Sequence, residues 1–148
     1  MFSYGMNTNR ALMQLRCKDA VVVGTGFLCN HQLDFRYHCD VTLTDDQRNR
    51  VYGVIWQLSR EDLDLIDLVE GYPEYYARER VHIVSKQVNT GTIFTSWTYK
   101  MNNQEGLELP DERYYDLVKQ GYEENNLPIK QLHDALDRCN LYMEANYG

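Results

Sequence analysis

An α+β domain built on an antiparallel or mixed sheet is predicted by three observations. Apolar residues alternate at period two in the first half, short turn-rich segments separate such runs, and two helical periodicities close the chain. Met1 to Tyr4 reads as a short strand and Gly5 to Thr8 as a turn, with Asn9 as N-cap of a short helix through Leu15. Val21, Val22 and Val23 read as a buried strand. Leu33, Phe35, Tyr37, Cys39, Val41 and Leu43 alternate as one further strand. The run from Val51 to Leu58, VYGVIWQL, is β-branched and aromatic and reads as another. Ser59 suits an N-cap, Glu61 and Asp62 suit the positive end of a helix, and Leu63, Ile66 and Val69 supply its apolar face. Gly71 and Pro73 stop that helix. Arg78 to Val88 and Thr92 to Tyr99 form a hairpin around Asn89-Thr90-Gly91. Two helices follow, Asp111 to Glu124 and Ile129 to Met143, with a break at Asn125 to Pro128.

A doubly wound nucleotide fold is disfavoured. Gly24-Thr25-Gly26 begins like a dinucleotide fingerprint, but Cys29 stands where the third glycine belongs, so the pair reads as a bulge or bend. The 148 residues, with 43% hydrophobic content, suit a single domain over 1–148. A net charge of −7 without a cluster of Lys and Arg offers no footprint for nucleic acid or an anionic membrane surface. No apolar run approaches the roughly 20 residues of a membrane span, and Met1 to Arg10 lacks a signal-peptide pattern. A cytoplasmic protein is expected. Cys17, Cys29, Cys39 and Cys139 form no C-x-x-C pair and read as reduced thiols. Cys29, His31, His38 and Cys39 fall close together, but His38 and Cys39 point to opposite faces of a strand and the spacing fits no common zinc module. No metal is expected.

Glu70 is the residue that folding rules explain least. It occupies the last turn of its helix, where the macrodipole repels a carboxylate. That repulsion, with burial among Tyr72, Tyr75 and Tyr76, would raise its pKa and make it a usable proton carrier near neutral pH. The alternative is a solvated glutamate at a fraying helix end. Tyr4-Gly5-Met6-Asn7 is the second candidate, since a glycine turn feeding a helix leaves N–H groups free for an anion. An ordinary strand-to-helix turn is the competing reading. Tyr75-Tyr76 and Tyr114-Tyr115 are either core and rim packing or a pocket wall.

Taken in order, four segments resemble the γ-glutamylcyclotransferase-like family: FSYGMN, VYGVIWQLS with EDLDLIDLVEGYPEYYARERV, TSWTYK, and PDERYYDLVKQGYEENNLP. The resemblance spans Met1 to about Leu136 and implies a small mixed, barrel-like β-sheet with flanking helices around a central cavity. It also implies that Glu70 is the catalytic acid/base, that Tyr4, Gly5, Met6 and Asn7 hold the γ-glutamyl headgroup, and that Tyr114 contacts substrate. Met6 departs from the family's usual serine, so a contact through that hydroxyl is missing.

The implied reaction closes a γ-glutamyl amine or amide onto itself, giving 5-oxoproline and the free amine. Ring closure is intramolecular, so the protein supplies a curled substrate and moves protons, and no cofactor is expected. The implied partner is a small γ-glutamyl compound, handled by a monomer or a homodimer. A noncatalytic module binding a small anionic metabolite on the same fold is the alternative, supported by Met6 and opposed by Glu70. A structural or interaction protein is a third reading, for which no interface pattern stands out.

Overall fold

The computed structural model describes residues 1–86 and 92–148. The expected Asn89-Thr90-Gly91 turn lies outside the described residues. Among the described residues, seven strands and four helices follow the chain: β1 (Phe2–Ser3), α1 (Arg10–Arg16), β2 (Val21–Cys29), β3 (His31–Arg36), β4 (His38–Leu43), β5 (Arg50–Gln57), α2 (Arg60–Glu70), β6 (Tyr76–Ser85), β7 (Ile93–Met101), α3 (Glu112–Glu124) and α4 (Lys130–Tyr147). A 3₁₀ turn, Met6–Thr8, joins β1 to α1. The helix starts follow local capping chemistry. Asn9 accepts a hydrogen bond from the Leu12 N–H and Ser59 from that of Asp62, while α2 ends on Gly71 in the left-handed conformation at φ 68°.

Five strands form a sheet in the order β1-β5-β2-β6-β7, and every ladder in it is antiparallel. Its two edge strands approach each other as the sheet curls. Thr98 Oγ1 on β7 donates to the Phe2 carbonyl on β1 at 2.8 Å, and the Tyr4 hydroxyl donates to the Tyr99 carbonyl at 2.5 Å. The result is barrel-like, with the seam between first and last strands held by side chains. The β3–β4 hairpin forms a separate two-stranded sheet, packed under α4. A parallel bridge joins its Arg36 to Glu108.

Two strand expectations are corrected. The Val21–Val23 segment is not buried: Val21 is 57% and Val23 47% exposed, and the strand continues through the two glycines to Cys29. The pairing with β5 slips between Val22 and Gly24, which is the bulge expected near Gly24-Thr25-Gly26. The run from Leu33 to Leu43 is two strands. It folds back at Tyr37, whose φ is 67°, and pairs Phe35 with Cys39 and Leu33 with Val41. Because the hairpin is symmetric about Tyr37, the odd-numbered residues stay on one face on both sides of the turn, and the alternation passes through it unbroken.

Packing of α3 positions the turn that follows β1. Gly121 on α3 lies so close to that turn that a Cβ there would stand 2.2 Å from Thr8 Oγ1. Around this contact, the Tyr122 hydroxyl donates to the Tyr4 carbonyl at 2.5 Å and Asn125 Nδ2 to the Thr8 carbonyl at 2.8 Å. The turn is therefore clamped from the side opposite the sheet. Among the described residues, no helix is long and apolar enough to cross a membrane.

Candidate active site

A cavity of about 270 Å³ opens where the end of β1, its turn, β4, the C-terminus of α2, the start of β6, β7 and α3 meet. Tyr4, Gly5, Met6, Asn7, Glu70 and Tyr114, the six residues singled out from the sequence, all line it. Arg16, His38, Cys39, Tyr75, Tyr76 and Tyr99 join them. None of these except Tyr75 and Tyr76 was expected at such a wall, and His38 and Cys39 drew notice only as metal candidates.

Glu70 projects from the last turn of α2 and accepts a hydrogen bond from Asn7 Nδ2 at 2.8 Å. Asn7 in turn accepts from Arg16 Nη1 at 2.7 Å, and its own carbonyl accepts from the Trp56 indole at 2.9 Å. Burial pushes the Glu70 carboxyl above its ordinary value, against the Asn7 hydrogen bond and the Arg16 charge, which favour the ionised form. Burial is thus the stronger influence on Glu70. Of the three tyrosines expected around it, Tyr75 and Tyr76 border the cavity, whereas Tyr72 lies beneath Arg78, whose guanidinium sits 4.3 Å from the ring centre.

The turn opposite Glu70 has little room. A Cβ at Gly5 would approach the Cys39 Cβ to 2.9 Å and the Tyr114 hydroxyl to 3.3 Å. Glycine therefore lets the backbone press against β4 and α3, and the N–H groups opening the Met6–Thr8 turn have no partner within it. Most tyrosine hydroxyls of the wall are committed to protein partners. The Tyr114 hydroxyl accepts from the Cys39 N–H at 2.9 Å, that of Tyr76 donates to the Cys39 carbonyl at 2.8 Å, and that of Tyr99 donates to Asp67 Oδ1 at 2.6 Å. Burial holds Tyr4, Tyr76 and Tyr114 well above the ordinary phenol range, so they remain neutral hydrogen-bonding groups. At the rim, His38 Nδ1 lies 3.2 Å from the Tyr75 hydroxyl, and burial lowers the imidazole's pKa against the raising influence of Asp111 and Glu108.

The four Cys and His residues considered for zinc are drawn apart by the hairpin. His31 Nδ1 lies 2.8 Å from the Cys29 carbonyl and its Nε2 2.8 Å from Lys100 Nζ, so both ring nitrogens are engaged. His38 and Cys39 lie at the other end of the hairpin. No group of three or more candidate ligands occurs among the described residues. Cys39 is buried in the cavity wall with its thiol pushed up to about 12 by burial, and Cys17 and Cys139 are also buried. Brief iodoacetamide treatment of the folded protein at pH 8 is expected to add a single adduct, on half-buried Cys29, by intact mass and peptide mapping. Comparable labelling of Cys39 would show that this wall opens.

The signals that could have found the missed residues are long-range. Arg16 is separated from Glu70 by more than fifty positions, and Tyr99 lies on the last strand. Tertiary packing of α1, α2 and β7 brings them to one wall.

Comparison with known proteins places this geometry among relatives. A family model described as the AIG2-like family matches residues 50–134, more than half of the chain and including Glu70 and Tyr114. Gamma-glutamylcyclotransferase of Bos taurus is 26% identical over 140 residues, covering 87% of this chain and 72% of that protein. The Mus musculus protein of the same name is 28% identical over 140 residues, covering 86% and 71%. Among solved structures, one titled gamma-glutamyl cyclotransferase superposes with a TM-score of 0.76 at 22% identity, over 90% of this chain and 83% of that one. YkqA from Bacillus subtilis gives 0.73 at 18% identity, over 94% of this chain and 53% of that one. At these identities the two structures speak for the fold.

Proposed function

Because the chain belongs to the AIG2-like family and is a γ-glutamylcyclotransferase-like enzyme, we propose that it cyclises a γ-glutamyl amine or amide to 5-oxoproline, with Glu70 moving the protons. The observation that carries this reading is a carboxyl group at the wall of a cavity, its pKa raised by burial, facing a tight glycine turn. A carboxyl in that state exchanges protons closer to neutrality than an exposed glutamate does.

The reaction moves two protons from the α-nitrogen to the departing nitrogen around one bond exchange. The substrate's α-ammonium first gives a proton to the Glu70 carboxylate, which frees the nitrogen lone pair. That nitrogen attacks the γ-carbonyl carbon, a C–N bond forms, and the ring closes through a tetrahedral centre. Glu70 then returns its proton to the departing nitrogen as the original C–N bond breaks, and the ring nitrogen gives up a second proton, passed by way of Glu70 to the released amine, leaving a neutral lactam and an ammonium ion. No water is consumed and no electron changes hands. The N–H groups at the start of the Met6–Thr8 turn suit the substrate's α-carboxylate, and the aromatic wall of Tyr4, Tyr76 and Tyr114 suits the curled methylene chain.

Incubating the purified protein with a panel of γ-glutamyl amines, covering amino acids, lysine-type amines and larger amino sugars, tests the assignment. Mass spectrometry is expected to detect 5-oxoproline and an equal amount of released amine from at least one member. Binding without any 5-oxoproline across the panel would favour the noncatalytic module, the reading to which Met6 in place of serine lends support.

A further inference from the structure

We propose that Arg16 is a positioning residue for this site, orienting the Asn7 side-chain amide so that its N–H, and not its oxygen, faces Glu70. The inference rests on the reading of Glu70 as the proton carrier. Its geometry is a two-bond relay, Arg16 Nη1 to Asn7 Oδ1 at 2.7 Å and Asn7 Nδ2 to Glu70 Oε1 at 2.8 Å.

An amide has a donor end and an acceptor end, and either can meet a carboxyl group. Facing Glu70 with N–H, the amide favours the carboxylate; facing it with oxygen, it can only accept from the protonated acid. Guanidinium has donors and no acceptor, so it fixes Oδ1 toward itself and leaves Nδ2 for Glu70. Asn7 is 7% exposed, and the Trp56 indole holds its main-chain carbonyl, which fixes the backbone that carries the amide. The relay thus keeps the ionised form within reach in a site whose burial favours the neutral one. An acid/base that must first accept a proton needs that form.

The other groups that surround Glu70 do not duplicate this effect. Tyr4 just after β1, Cys39 from β4, Tyr75 beside β6, Tyr76 from β6 and Tyr99 from β7 all face Glu70, and burial raises each above its ordinary value, leaving it neutral near pH 7. Asp67 on α2 is occupied by the Tyr99 hydroxyl and Arg78. Among the described residues, the charge acting on Glu70 is that of Arg16.

Three variants separate orientation from charge and from folding: Arg16→Met, Arg16→Lys and Asn7→Leu. The carboxyl titration of Glu70 is followed by ¹³C NMR in protein labelled at the glutamate carboxyl carbon, the signal being assigned by its loss in Glu70→Gln. The pH profile of kcat/KM on a γ-glutamyl amine found in the panel is measured beside it. In Arg16→Met and Asn7→Leu the titration and the acid limb of the profile are expected to move to higher pH. Activity should fall about tenfold near pH 6, with the deficit shrinking as pH rises. Arg16→Lys, which keeps charge and donor, should stay near wild type. An unmoved titration in folded Arg16→Met overturns the proposal. So does a shift there that Asn7→Leu does not share, because Arg16 would then act by charge alone. A uniform loss at every pH would assign Arg16 a structural role and overturn it too. The NMR titration decides the matter even if no panel member is turned over, an outcome that would remove the functional reading separately.

Discussion

Glu70→Gln is expected to lower turnover of a γ-glutamyl substrate by about 10⁴-fold while leaving the fold in place. General acid/base groups contribute about 10²–10⁴-fold, and this one serves both the attacking and the departing nitrogen, which puts the loss at the upper end. Glutamine keeps the carbonyl that accepts from Asn7 Nδ2, so the local hydrogen bond survives the change. Stability should shift with pH in a defined direction. The folded carboxyl is raised above its unfolded value, so at low pH both states hold the proton, and the variant and wild type should melt together. As pH rises through the raised value, folded wild type must carry a buried charge near the negative end of α2. The variant should then be the more stable by about 0.3–1 kcal/mol. Activity assays and thermal melts from pH 4 to pH 9 test both halves. Near wild-type turnover would remove Glu70 from the chemistry, and loss of the melt would return it to a structural role.

Gly121→Ala is expected to cost both stability and activity, though the residue does not line the candidate site's cavity. Its Cβ would meet Thr8 Oγ1 at 2.2 Å, the Asn9 N–H nitrogen at 2.7 Å and the Thr8 carbonyl carbon at 2.8 Å. Two of these are backbone atoms, so α3 and the Met6–Thr8 turn must separate. Forcing a methyl into such a contact costs about 1–3 kcal/mol. Asn7 rides on that turn, and displacement of a catalytic constellation by about 1 Å can reduce rate by about 10²-fold. Urea titration and steady-state kinetics on the same preparation check this. The expected pattern, reduced stability with reduced kcat, differs from the fold-preserving loss in Glu70→Gln. Full activity at wild-type stability would mean that the turn tolerates displacement.

Local chemistry made part of the structure legible from the sequence, and non-local geometry hid the rest. Asn9 and Ser59 could be read as caps because an N-cap is decided within four residues. Gly71 and Pro73 ended α2 for equally local reasons. The Tyr37 turn escaped because pairing symmetric about one residue preserves the alternation that a continuous strand would show. Val21 and Val23 misled because three consecutive valines look buried, while the first residues of β2 run out beyond the covered part of the sheet. Tyr4, Gly5, Met6, Asn7, Glu70 and Tyr114, which line one cavity, were singled out through resemblance and the odd placement of one carboxylate. Arg16 and His38 carry no local mark. Arg16 ends α1 and His38 opens β4 of the separate hairpin, so their positions follow from how a helix and a second sheet pack against the curled one.

The side-chain seam between β1 and β7 also bears on the order in which the molecule assembles. Its bonds join Tyr4 to Tyr99 and Phe2 to Thr98, spanning 95 and 96 positions of chain. The β3–β4 hairpin, by contrast, closes over a handful of residues. Loop-closure entropy must be met before distant contacts return any free energy, so local hairpins form early and the seam late. The cavity is built on the seam, which makes it the last part of the protein to acquire its shape. The ladders of the sheet do not hold that seam, so it is also where partial opening of the native state starts.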